Sequence, residues 1–223
     1  MSVGLNRISR GDLASHRATI PGTQDEIYSP LYDSIAYPAA GLLQANFFSL
    51  PIGQGTTSAP GATGAKTEAD TNLTNAGLLP KGNRFYCTGL ELNFIPGSLP
   101  GNTGALVTTG QNVNDVNAIA RAGWLRFRIQ NRDYVLDGPL GLFPPMNRLA
   151  VASTPASVVT ATTIVQTDYA ALGGAPYNIV PVFIESNQSF AIQLNFPALV
   201  PLPSTVAGRL FCRLRGRLIR DAQ

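Results

Sequence analysis

Apolar and polar residues alternate along much of this chain, as they do in strands with one buried face. The clearest case is Gly208 to Arg220, GRLFCRLRGRLIR, which puts Leu210, Cys212, Leu214 and Leu218 on one face and Arg209, Arg213, Arg215 and Arg217 on the other. A helix would swing Arg215 away from Arg213 and Arg217 and would carry Gly216 in its middle, so a strand with an arginine ladder is expected. Trp124 to Gln130 (WLRFRIQ) repeats the pattern, with Leu125, Phe127 and Ile129 inward and Arg126 and Arg128 outward. Arg84 to Ile95 (RFYCTGLELNFI) alternates too, with Tyr86, Leu90, Leu92 and Phe94 on one face and Glu91 and Asn93 on the other.

Further strands are expected at Leu43 to Leu50, closed by Pro51, at Asp133 to Asp137, at Ser157 to Thr167, at Tyr177 to Glu185 and at Gln188 to Phe196. Pro181 confines the Tyr177 strand to a sheet edge or a bulge. Asn131-Arg132 and Ser186-Asn187 read as tight turns within hairpins. Tyr28 to Tyr37, aromatic and flanked by prolines, suits an extended segment lying over a sheet edge. Gly53 to Gly82 and Pro96 to Ala120 read as long connections, the second with a short strand at Ala105 to Thr109. No stretch makes a persuasive long helix. Eight or nine strands joined by long crossing loops predict an all-β sandwich, a jelly roll ahead of an immunoglobulin-like fold. Residues 1 to 30 are expected to form an extended N-terminal arm, and residues 31 to 223 a single sandwich domain. The hairpins fit only some jelly-roll connections, so a sandwich with local meanders stays open.

Composition sharpens this picture. Charged residues are 13% of the chain, against roughly 25% in an average soluble domain, which points to extensive burial against partners. Net charge is only +3, yet fourteen of the sixteen cations are arginines and five of them lie between Arg209 and Arg220. Arginine suits forked contacts with carboxylate or phosphate. Like charges two apart on one strand face repel, so the ladder requires acceptors on adjoining strands, on a neighbouring subunit or in phosphates. Cys87 and Cys212 fall in expected strands and read as reduced core thiols. No run of eighteen apolar residues occurs, and MSVGLNRISRGDL lacks the apolar core of a signal peptide, so synthesis in a cytoplasm is expected.

Catalytic chemistry is hard to place. His16 is the only histidine and lies in the expected arm, which argues against triads, Cys-His dyads and histidine metal sites. Asp133 and Asp137 read as solvated or salt-bridged rather than as a carboxylate pair. Gly61 to Thr67 (GATGAKT) imitates a phosphate-binding loop, but its lysine does not follow the second glycine at the required spacing. Arg10-Gly11-Asp12 and the Asn72-Leu73-Thr74 sequon are too short to carry weight. What remains is surface: Arg126, Arg128, Arg209, Arg213, Arg215 and Arg217 are the candidate contacts to subunits or nucleic acid, brought together on one sheet face as a basic wall. Arg7, Arg10 and Arg17 are the candidate arm contacts.

The ending QSFAIQLNFPALVPLPSTVAGRLFCRLRGRLIRDAQ, the middle WLRFRIQNRDYVLDGPLGLFPP and the early YDSIAYPAAGLLQANFFSLPIGQG together resemble the jelly-roll capsid proteins of icosahedral bacterial viruses. The resemblance implies a non-enzymatic, self-assembling coat subunit of a virion, made in the host cytoplasm, whose loops and arm meet neighbours. Its implied partners are further copies, other capsid proteins, and packaged nucleic acid or an internal membrane surface, with no cofactor and no small-molecule substrate. Many tailless-phage coat proteins resemble two fused jelly rolls, whereas this length holds one, so a major, vertex or decorating subunit are all open. The rival expectation is a carbohydrate- or receptor-binding sandwich, with Tyr169 and Tyr177 flanking a loop.

Overall fold

The computed structural model describes residues 24–58, 63–95, 109–130, 132–140, 147–154, 166–173 and 176–221. In chain order the elements are β1 (Gln24–Ile27), β2 (Leu31–Tyr37), β3 (Gln44–Phe47), β4 (Arg84–Ile95), α1 (Thr109–Ala122), β5 (Trp124–Ile129) and β6 (Arg132–Pro139). They continue with β7 (Asn147–Thr154), β8 (Gln166–Gly173), β9 (Tyr177–Glu185), β10 (Phe190–Asn195) and β11 (Gly208–Asp221). Every strand pair is antiparallel.

Two sheets carry the architecture. The larger runs β1-β11-β4-β9, with β2 also on β11; the smaller runs β3-β10-β5-β6, and β7-β8 form a separate two-stranded sheet. β4 takes one edge of β11, while β2 (opposite Gly208 to Leu214) and β1 (opposite Leu218 to Asp221) share the other. The alternating strands of both sheets turn their apolar faces to one core. Phe85, Phe94, Leu210 and Leu214 come from the larger sheet, and Phe47, Leu125, Phe127, Ile192 and Leu194 from the smaller. Tyr37 joins them, its ring edge-on to both Phe94 and Phe196 at 6.0 Å. Burying each such side chain contributes about 1.5–3 kcal/mol, so this shared interior holds the sheets face to face as an all-β sandwich.

Several expectations need correction. Pro96 to Ala120 is not all connection, because Thr109 to Ala122 is helical. Its asparagines disguise the period, but Val116 and Ile119 reach the core one turn apart and buried Asp115 accepts the Ser204 N–H at 2.9 Å through Oδ1. Gly123 ends it, where an added Cβ would lie 2.4 Å from a Leu140 methyl and force that side chain to shift. Tyr86 does not share a face with Leu90, Leu92 and Phe94. The pairing of β4 with β11 skips Thr88, and this bulge puts Phe85 and Cys87 into the core instead. Tyr86 packs on the outer side against Phe183, ring centroids 4.8 Å apart.

Leu31 to Tyr37 does not lie over an edge; it is a strand of the larger sheet, and residues Thr71 and Asn72 cover its outer side. Asn72 accepts the Tyr32 N–H and donates to the Pro30 carbonyl, which blunts that edge against foreign strands. Ser186-Asn187 is not a hairpin, since β9 and β10 belong to different sheets. The β5-β6 hairpin is present, with its positive φ of 56° at Gln130. Pro181 sits on edge strand β9, where the pairing with β4 jumps from Val182 to Asn178. Gln24–Ile27, assigned to the arm, are strand β1, and Tyr28 to Pro30 link it to β2; residues 1–23 of the arm, the Ala105 strand before Thr109 and most of the Ser157 strand lie outside the described residues.

Cys87 and Cys212 are free and buried. Burial pushes the Cys87 thiol up to about 12 and Cys212 well above its ordinary value. The thiolate is the reactive form. Neither cysteine is therefore expected to react with a disulfide reagent at neutral pH in the folded protein, whereas both react in denaturant. A fast native thiol would show that the β4-β11 pairing opens readily.

Candidate functional site

The arginine ladder stands on β11, the strand with most neighbours. Leu210, Cys212 and Leu214 are fully buried on its inner side, and the alternation drives Arg209, Phe211, Arg213 and Arg215 to the outer face of the larger sheet. Their acceptors come from this same chain. Arg213 donates to Glu91 Oε2 through Nε at 2.8 Å and also through Nη2, while Arg215 Nε lies 3.3 Å from Glu91 Oε1. One carboxylate, 8% exposed, thus bridges two guanidinium groups that would otherwise repel. Arg217 reaches Glu26 of β1, and Arg220 lies 3.7 Å from Asp25. The Glu26 contact holds Arg217 further above its already high ordinary value.

Arg209 enters a more enclosed cluster. Its Nη2 donates to Ser34 Oγ at 2.8 Å and to the Ala69 carbonyl at 2.6 Å, with Asp70 Oδ1 at 3.3 Å. Asp70 also accepts the Ser58 N–H and hydroxyl, the Thr57 hydroxyl and the Thr67 N–H. Burial pushes the Asp70 carboxyl up, but the Ser58, Thr67 and Thr57 donors outweigh it and hold the group well below the usual carboxylate range.

On the inner side of β2, Asp33 lies opposite Cys212 and is wholly buried. Its Oδ1 meets Lys66 Nζ at 2.6 Å, and its Oδ2 accepts the Phe48 N–H at 2.6 Å. Phe48 has a φ of 64°, a rare conformation for a bulky residue, and its carbonyl accepts the Gly77 N–H. Burial raises the Asp33 carboxyl above its ordinary range, against the opposing effect of Lys66. The lysine of the imitation phosphate loop is thus a buried counter-ion, and Gly53 to Gly82 is clamped to the sheet at Lys66 and Asp70.

Arg126 and Arg128 do not join this face. They lie on β5 in the smaller sheet and point away from the shared core, on the opposite side of the sandwich. Arg126 Nε is 3.3 Å from Asp137 Oδ2, and Trp124 donates to the same carboxylate. No single basic wall exists, because the two ladders stand back to back. Arg7, Arg10 and Arg17 lie outside the described residues.

Sequence reading missed Asp33, Asp70, Ser58 and the bridging role of Glu91. A signal was present, since Lys66, Lys81, Glu68 and Asp70 are the only charges between Gly53 and Gly82. Lys66 and Asp70 are buried and paired, whereas Glu68 and Lys81 are exposed, so the scarcity of charge marks the segment but not which charges matter. Among the described residues, no group of three or more His, Cys, Asp or Glu could hold a metal ion, and no helix is long and apolar enough to cross a membrane. The chain matches no protein-family model, no curated protein and no solved structure.

Proposed function

We propose that this protein is a self-assembling shell subunit of a virion, built as one jelly roll. The observation that carries the reading is the strand order. With β1 and the β7-β8 hairpin set aside as additions, the sheets run β2-β11-β4-β9 and β3-β10-β5-β6. Successive strands then alternate between sheets, except at the β5-β6 hairpin, as in the double Greek key of capsid and lectin domains. Fold alone does not fix function, so the surface must choose between those uses.

The surface favours contact between copies. Leu43 is 57% exposed and Leu199 56%, in neighbouring loops joined by the Phe196 N–H to Leu43 carbonyl bond, and Pro197, Ala198, Pro201 and Pro203 are exposed beside them. A charge-poor, proline-stiffened apolar rim loses little entropy when a neighbour covers it. The larger ladder instead sets four carboxylates, Asp70, Glu91, Glu26 and Asp25, against its five arginines, an excess of one charge that suits a small anion at most and not the run of phosphates in a nucleic-acid backbone. Neighbouring copies are accordingly the partner of this reading, and the assembled virion is its location.

Light scattering and electron microscopy of the purified protein test it. Closed particles or ring-shaped capsomers are expected, formed by many modest contacts acting together. Replacing Leu43 and Leu199 together by Asp should leave the circular dichroism spectrum intact and abolish the large species. A wild-type protein that stays a monomer or trimer and retains a glycan would overturn the coat reading in favour of a binding module.

A further inference from the structure

Arg215, Gly216 and Arg217 occupy a gap in the sheet. On one edge of β11, pairing with β2 stops at Leu214 and pairing with β1 begins at Leu218, and Tyr28 to Pro30 span the interval. On the other edge, Arg215, Gly216 and Arg217 pair with Gly89, Cys87 and Tyr86 of β4, and the bulged Thr88 lies between them. Backbone geometry therefore opens a groove of about 360 Å³ at this point, lined by Tyr28, Tyr86, Thr88, Asn178, Arg215 and Arg217 together with Gly89 and Gly216. That volume lies within the range of small-molecule sites.

Each of the six lining side chains carries a hydrogen-bond donor, and none carries a carboxylate. Arg215 faces Glu91 through Nε, and Arg217 donates to Glu26 through Nη1, whereas Arg213 grips Glu91 with two nitrogens. A guanidinium has five N–H donors, so both keep donors to spare. Tyr28 hydrogen-bonds Arg215 and raises its already high pKa, so the charge is permanent. The two arginines are two residues apart on one strand face, roughly 6–7 Å along the chain. A carboxylate, with two oxygens, satisfies one fork; a phosphate monoester, with three oxygens and more charge, satisfies both. The Tyr86 ring is backed by Phe183, and Tyr28 is 67% exposed, with no stacked ring among the described residues. Such rings accept a planar group in stacking contact.

We infer that this groove binds the phosphate of a small molecule that also carries a planar ring, with Arg215 and Arg217 holding the phosphate and Tyr28 stacking on the ring. The site does not depend on the shell reading. Titration calorimetry of the full chain with inorganic phosphate and with adenosine monophosphate tests it. Both probes should saturate at one site per chain, the nucleotide binding roughly 5- to 150-fold more tightly, as about 1–3 kcal/mol of stacking gives. Tyr28→Ala should erase that preference, bringing the two probes to within about twofold of each other. Arg217→Gln, at a half-exposed position, should weaken both probes at least tenfold with an unaltered circular dichroism spectrum. Arg84→Gln, outside the groove, should weaken neither. Absence of saturable binding by both probes, an unchanged affinity in Arg217→Gln, or an equal loss in Arg84→Gln would each overturn the assignment.

Discussion

Asp33→Ala is expected to destabilise the protein by about 3–5 kcal/mol, the usual consequence of leaving a buried charge without its partner. At roughly 2–4 °C per kcal/mol for a chain of this size, the melting midpoint should fall by about 6–20 °C. Two groups lose their acceptor at once: the Lys66 ammonium, 2% exposed, and the N–H of Phe48 in its left-handed conformation. Lys66→Met should be milder, because the Asp33 carboxyl, already raised by burial, can take up a proton and still accept from Phe48. The sign of its pH dependence follows. An acid whose folded pKa lies above its unfolded value, near 3.9, supports folding best below that value and loses the contribution as pH rises through the folded pKa. Lys66→Met should therefore melt higher at pH 4 than at pH 7. The double variant Asp33→Leu/Lys66→Met removes both charges and should recover much of the loss. Melting followed by Trp124 fluorescence, the only tryptophan, completes the cycle. Additive single effects would show that the two groups are not coupled.

Asp70→Ala is the second large effect, at roughly 3 kcal/mol, since hydrogen bonds to a charged acceptor contribute about 1.5–3 kcal/mol each and several buried donors share this one. The pH sign is opposite to that of Asp33. A carboxyl held below its unfolded value contributes stability above about pH 4 and loses it as pH falls towards its folded pKa. Acid should thus loosen the Gly53 to Gly82 segment first, and Asp70→Asn should flatten the acid limb of the stability profile. Hydrogen exchange at Ser58 and Thr67, whose N–H groups point at this carboxylate, reads the event locally. If those amides exchange no faster in Asp70→Ala than in the wild type, the cluster is not what holds the segment down.

The strands were legible where one face is apolar and the other polar: β5, β10 and β11 fall where alternation puts them. The same logic failed at Tyr86, because a single extra residue at Thr88 reverses the face of everything before it and leaves no mark in composition. Helix α1 was hidden by asparagines, which favour caps and turns, and it is held by Val116, Ile119 and the Asp115 contact to Ser204, tertiary partners no local window contains. For the ladder, the need for acceptors was readable from the spacing of the arginines, but their identity was not. Glu26 lies 191 positions from Arg217, and Asp70 lies 139 from Arg209. The separation of the two ladders into opposite sheets is a topological fact that neither strand's own pattern contains.

Strand β11 sits between β4 on one side and β1 and β2 on the other. A nascent chain that has not yet emitted Gly208 has 25 of the 28 buried core residues and nothing to fill the middle of the larger sheet. Productive folding must await that late segment, and contacts so distant in sequence form slowly. Ribosome-bound or truncated chains would expose the flanks of β2 and β4 and fall to aggregation or proteolysis before they could compete with finished molecules.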